Sequence, residues 1–129
     1  MPKPEQCRYM KSHEWVSLEG DQAVVGISDH AQAEITDVVF VDLPKAGRKV
    51  KQGEAVCVVE SVKAAFDIYA PVSGEIAAAD EAVSKDPALV NRSAQDEGWL
   101  FKIKGAKAEE AKTLMDFKAY QEFIKTAAH

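Results

Sequence analysis

Residues 58–75 read VVESVKAAFDIYAPVSGE, two runs of strand-forming residues broken by a single lysine, Lys63. Upstream, AVCVVES (55–61) is valine-rich; downstream, AFDIYA (65–70) mixes aromatic and β-branched residues. So little chain separates the two runs that only a tight hairpin joins them. Its tip holds Val62 and Lys63, without the Asn-Gly or Asp-Gly pair usual at exposed hairpin tips. A lysine in that place projects its amine away from the body of the domain. An exposed alkylamine is almost wholly protonated at neutral pH, a poor base and a poor nucleophile. Catalysis by Lys63 itself is therefore not expected. An accessible lysine can instead be acylated by another enzyme and become the stem of a flexible arm bearing a group carrier such as lipoate or biotin. On spacing alone, a plain surface lysine is the competing reading.

Outward from the hairpin, HEWVSLE, QAVVGIS, DVVFVDL, GEIAAA and WLFKIK also have strand composition. Turn signals separate them at Glu19-Gly20-Asp21, Pro44 to Gly47, Lys51-Gln52-Gly53 and Pro71 to Gly74. Short strands at this spacing predict a compact, mostly β sandwich or barrel. DHAQAEI (29–35) predicts a short internal helix capped by Ser28 or Asp29. FVDLPKAG (40–47) and DIYAPVSG (67–74) both place a Pro-x-x-Gly turn after a strand, suggesting two similar halves about a pseudo-two-fold axis. From about 107 to 127 the chain lacks Gly and Pro and is rich in helix formers. Leu114, Phe117, Tyr120 and Ile124 recur at near-helical spacing, one face to pack on the β core, and Asp116 is placed to cap a second helix.

The 129 residues suit one domain able to bury a core without staples. A net charge of −5 with scattered lysines argues against a nucleic-acid partner. No apolar run reaches the roughly 18–20 residues of a bilayer span, and the opening MPKPEQCRYM has neither a signal-peptide apolar region nor an Arg-rich transit pattern. A soluble cytosolic protein is expected, or a mitochondrial-matrix one if the chain is a processed eukaryotic form. Cys7 and Cys57 lie far apart with only His13, His30 and His129 to join them, so no metal site is expected. Cys57, inside EAVCVVES, reads as a small buried hydrophobe.

ESVKAAFDIYAPVSGE resembles the lipoyl-attachment segment of the glycine cleavage system H protein family. The likeness extends through SHEWV (12–16), VGISDHAQ (25–32), DVVFVDLP (37–44), LVN (89–91) and GWLFKIK (98–104). It implies a single lipoyl-binding domain over 1–129, a flattened β barrel (barrel-sandwich hybrid) over about 8–105 with a short internal helix and C-terminal helices. It implies lipoate on Lys63. Biotin carriers share the general fold, but their lysine typically lies between methionines; here Val62 and Ala64 flank it.

The resemblance further implies a carrier, not an enzyme. A PLP-dependent glycine decarboxylase loads the arm with an aminomethyl group, a tetrahydrofolate-dependent aminomethyltransferase unloads it, and an FAD-containing dihydrolipoyl dehydrogenase reoxidises it. The lipoyl-attaching enzyme is a fourth partner, and a monomer is expected. The family's pocket for the loaded arm maps onto Ser12, Glu14 and Asp67, and ligase recognition onto Glu60. Two departures stand out: Phe66 where the family usually has a small residue, and Ser93-Ala94-Gln95 in place of the usual Asp-Pro-Tyr. The alternatives are an H-like protein that relays octanoyl or lipoyl groups to other apoproteins, and an unmodified interaction module.

Overall fold

The protein is described by a computed structural model covering residues 3–126, so the last residue of the expected helical tail and His129 lie outside the described residues. A 3-10 turn at Pro4–Gln6 leads into β1 (Arg8–Tyr9), β2 (Glu14–Glu19) and β3 (Gln22–Ile27). Helix α1 (Asp29–Ile35) follows, then β4 (Val38–Asp42), β5 (Lys49–Val50), β6 (Ala55–Ser61), β7 (Ala65–Tyr69) and β8 (Gly74–Ala79). Helices α2 (Glu81–Lys85) and α3 (Leu89–Arg92), strand β9 (Phe101–Lys104), and helices α4 (Ala108–Ala111) and α5 (Phe117–Thr126) complete the chain.

The strands form two antiparallel sheets: β1-β2-β3-β9-β8-β5 and β4-β6-β7. Val16, Val25, Ile76 and Ile103 from the larger sheet meet Val41, Val59 and Ile68 from the smaller in one buried cluster, giving the flattened, mostly β architecture expected. The two strands after the repeated turns, β5 and β8, pair antiparallel with Lys49 opposite Glu75.

Strand alternation decides what faces what. In the β2/β3 ladder, Val16 lies opposite Val25 and Glu14 opposite Ile27, so Glu14 shares the face turned to the inter-sheet core. Trp15 lies opposite Gly26 on the other face. There Trp15, Tyr9, Val24 and Cys7 form a second buried cluster closed by Tyr120 of α5. The Trp15 indole N–H donates to the Ala94 carbonyl at 3.1 Å. Tyr9 and Tyr120 stack with centroids 4.4 Å apart. Ser28 caps α1, its hydroxyl accepting from the Ala31 N–H, and Asp116 accepts from the Ala119 N–H at the start of α5.

Candidate functional site

Ser61 to Ala64 is the turn joining β6 to β7, closed by a 2.9 Å bond from the Ser61 N–H to the Ala64 carbonyl. Two-residue hairpins favour turns whose central residues take positive φ; neither Val62 nor Lys63 does. Other contacts hold the tip. The Ser61 hydroxyl oxygen accepts from the N–H groups of Lys63 (3.1 Å) and Ala64 (3.3 Å). The Val62 N–H donates to the Asp37 carbonyl at 3.0 Å, just ahead of β4. A buried serine and the neighbouring strand thus fix the backbone, while Lys63 is exposed.

Three residues on, Phe66 lines a cleft of about 160 Å³ between the smaller sheet and α1. Val59, Ile68, Ile27 and Ile35 give the cleft an apolar wall, and Ser12, His13, Glu34 and Asp67 bring polar groups to it. The structure therefore brings together Ser12, on the segment before β2, and Asp67, on β7. Glu14 is placed differently. It is fully buried and absent from the lining, one layer behind Ser12. Its Oε1 accepts from the Ser12 hydroxyl and its Oε2 from the Tyr69 N–H at 2.7 Å. Burial pushes its carboxyl above the ordinary range, and the bonds from Ser12 and Tyr69 partly oppose that rise. Glu60 is exposed on the outward face of β6, opposite Ala65.

His13 was not singled out by its sequence. It takes φ 80°, a left-handed conformation uncommon outside glycine, which turns the chain between Ser12 and Glu14. Its Nδ1 lies 2.7 Å from the Tyr120 hydroxyl, itself 2.6 Å from the Ser28 hydroxyl. The C-terminal helix is thereby tied to the cleft wall. On the far side, the His13 ring lies 5.2 Å from that of His30, which pairs with Glu34 along α1.

Both departures find physical places. Phe66 is half-buried against the main core. The loop at 93–95 is held by the Ala94 carbonyl under Trp15, by Gln95 Oε1 accepting from the Asp29 N–H, and by Gln95 Nε2 donating to the Tyr9 hydroxyl. Those contacts fix the loop where a proline would have stiffened it.

Cys57 is buried and its thiol is pushed up to about 12, chiefly by burial, which suits a packing role. No metal-ligating cluster is present among the described residues. Nor is any helix among them long and apolar enough to cross a membrane. A wider depression of about 960 Å³ over β5, β8 and β9, lined by Lys49, Glu75, Lys104 and Glu110, contains none of the expected site residues.

Known proteins resemble this chain over most of its length. The family described as "Glycine cleavage H-protein" matches residues 7–127. The chain is 52% identical over 116 residues to the glycine cleavage system H protein of Thermotoga maritima, covering 90% of this chain and 94% of that one. It is 54% identical over 113 residues to that of Bradyrhizobium diazoefficiens, covering 88% and 93%. A crystal structure of a glycine cleavage system H protein from Mycobacterium marinum superposes with a TM-score of 0.75 at 32% identity, covering 86% of this chain and 98% of that one. With a hairpin-tip lysine, a two-sheet barrel and this likeness over most of its length, the chain belongs to the glycine cleavage H-protein family.

Proposed function

We propose that the protein is the lipoyl carrier of the glycine cleavage system, with lipoate in amide linkage to Lys63. The observation that carries this reading is an exposed lysine on an anchored turn, three residues from a cleft with an apolar wall and an acidic rim. Those residues suit the group. A chain of methylenes gains by lying against Val59, Phe66 and Ile68, and a cationic amine at its end finds carboxylate acceptors in Asp67 and Glu34. When attached, lipoate supplies a disulfide that takes up the aminomethyl cargo and returns to the oxidised form after delivery.

The chain's own residues hold and shield. Asp67 accepts from the cargo's ammonium group. The Ser12 hydroxyl, fixed by the buried Glu14, presents its oxygen to the cleft. Phe66 and the aliphatic wall exclude water from a hydrolysis-prone amine next to sulfur. Glu60 serves recognition by the lipoyl-attaching enzyme. The protein acts as a cosubstrate: a monomeric, single-domain cytoplasmic carrier between the PLP-dependent decarboxylase, the aminomethyltransferase and dihydrolipoyl dehydrogenase.

Intact mass spectrometry after incubation with a lipoate ligase, lipoate and ATP tests the reading. The protein gains one lipoyl group and Lys63→Ala gains none, and the lipoylated form then stimulates glycine-dependent carbon dioxide exchange by a matched decarboxylase. A protein without any adduct refutes the carrier assignment, and a lipoylated protein without stimulation makes it a relay instead.

A further inference from the structure

Among the described residues, the large hydrophobic side chains left exposed are Leu18, Val39 (55%), Phe40 (50%) and Val62 (68%), and all but Leu18 lie around the turn that bears Lys63. Register places them. Phe40 lies opposite Glu60, and Val38 opposite Ser61. The register shift between Val38 and Phe40 leaves Val39 outward as well as Phe40. Val62 follows Ser61, its N–H held by Asp37 at the entrance to β4.

Acidic side chains lie around this patch. Asp42, Val58 and Asp67 lie in line across the three strands, with Glu60 opposite Phe40, and all three acids are exposed. Lys63 is the sole lysine or arginine between residues 52 and 84, and residues 12–44 contain none. Acylation converts the Lys63 ammonium to a neutral amide and so removes the one cation carried by the turn itself.

We infer that Val39, Phe40 and Val62, within their acidic collar, are the seat for the acyl-transferring enzyme that modifies Lys63. This rests on the reading of Lys63 as the lipoylated residue. Reach selects this partner. Before modification the amine stands on a stem of only four methylenes, so the enzyme must cover the turn to bring its acyl donor to Nζ. Enzymes that act later meet the end of the longer arm and need not cover the turn. Chemistry agrees. The deprotonated Nζ attacks the carbonyl carbon of an acyl-adenylate; the C–N bond forms as the acyl–oxygen bond breaks. AMP leaves with the bonding pair, and the proton from nitrogen passes to solvent. An enzyme that holds such a phosphate-bearing donor presents lysine and arginine at its active-site mouth, complementary to Asp42, Glu60 and Asp67.

The test is the initial rate of lipoylation of purified apoprotein by a lipoate ligase with ATP and lipoate, read by intact mass, for the parent, the Val39→Thr/Phe40→Thr double variant and Phe40→Leu. Threonine keeps strand propensity, and an unchanged thermal midpoint confirms folding. The double variant should lose about tenfold in kcat/KM through KM, the factor set by about 1.4 kcal/mol of binding. Phe40→Leu should retain most of the parental value, and added salt should raise the parent's KM. A double variant within twofold of the parent overturns the seat. So does normal acylation combined with loss of decarboxylase stimulation, which would assign the face to that enzyme. A parent that gains no mass overturns the carrier reading itself, whereas a modified parent matched by its double variant overturns the seat alone.

Discussion

Glu14 Oε2 accepts a 2.7 Å hydrogen bond from the Tyr69 N–H, joining β2 of the larger sheet to the end of β7 in the smaller. The carboxyl is fully buried on the core face, and its other oxygen takes the Ser12 hydroxyl. One acid thus links the two sheets and fixes a residue on the cleft wall.

Glu14 makes stability depend on pH. Burial raises its folded pKa above the ordinary value of 4.5. The folded state then holds a proton that the unfolded state releases, so the contribution is fully present below the unfolded pKa. It is lost as pH rises through the folded one. Glu14→Gln can keep an acceptor for Tyr69 without a charge to desolvate. Thermal midpoints from pH 4 upward should show the parent declining above about pH 4.5 relative to Glu14→Gln. Parallel profiles for the two proteins would remove Glu14 as the cause.

The cleft should protect the loaded arm. Phe66→Ser opens its wall and Asp67→Asn removes a carboxylate from its rim. Each, once fully lipoylated, should release ammonia from the loaded protein about tenfold faster, the effect of losing roughly 1.4 kcal/mol of shielding or ionic contact. Release at the parental rate from both variants would exclude the cleft as the resting place.

Trp15 depends on the absence of a side chain at its neighbour. A Cβ at Gly26 would lie 2.8 Å from the indole atoms Cε2, Cζ2 and Nε1 of Trp15. The indole is fully buried, and its N–H holds the Ala94 carbonyl. Gly26→Ala should therefore cost about 2 kcal/mol by overpacking, measured by urea denaturation, with a shift in tryptophan emission. A variant as stable as the parent would show that the indole can move freely.

The turn should depend on one hydroxyl. Ser61→Ala removes the acceptor shared by the Lys63 and Ala64 N–H groups. Amide hydrogen exchange at both residues should accelerate, with a loss of about 1 kcal/mol in overall stability. Lipoylation should slow because Lys63 no longer leaves the surface from a fixed point. Unaltered exchange would mean that the Asp37 contact alone suffices.

The hairpin was legible in sequence because its signal is local: two β-rich runs separated by too little chain for anything but a turn. Helix α1 was legible from its cap, and the tail from its apolar period. Strands β1 and β5 were not, since each is two residues long and exists only by pairing with a partner elsewhere, Arg8 with Val16 and Lys49 with Glu75. Helices α2 and α3 were missed for a related reason: they are too short to be stable alone and are held by burying Val83 and Val90. At the site, Lys63 could be argued from its residues, whereas Ser12, Glu14 and Asp67 came through family resemblance. Charge pattern could not tell Glu14, turned into the core, from a surface acid. The left-handed turn at His13 had no sequence signal, because it is imposed where Tyr120 and the chain around β2 meet.

The fixed turn also bears on how a small carrier serves several large enzymes. With Ser61 and Asp37 holding the backbone on either side, the attached arm swings from a stationary pivot, and its excursions come from its own rotatable bonds. An enzyme docked beside that pivot meets the arm's end in a small swept volume. For a short flexible tether this corresponds to a local concentration on the order of millimolar, so weak and rapidly exchanging contacts suffice and each partner can let go in time for the next.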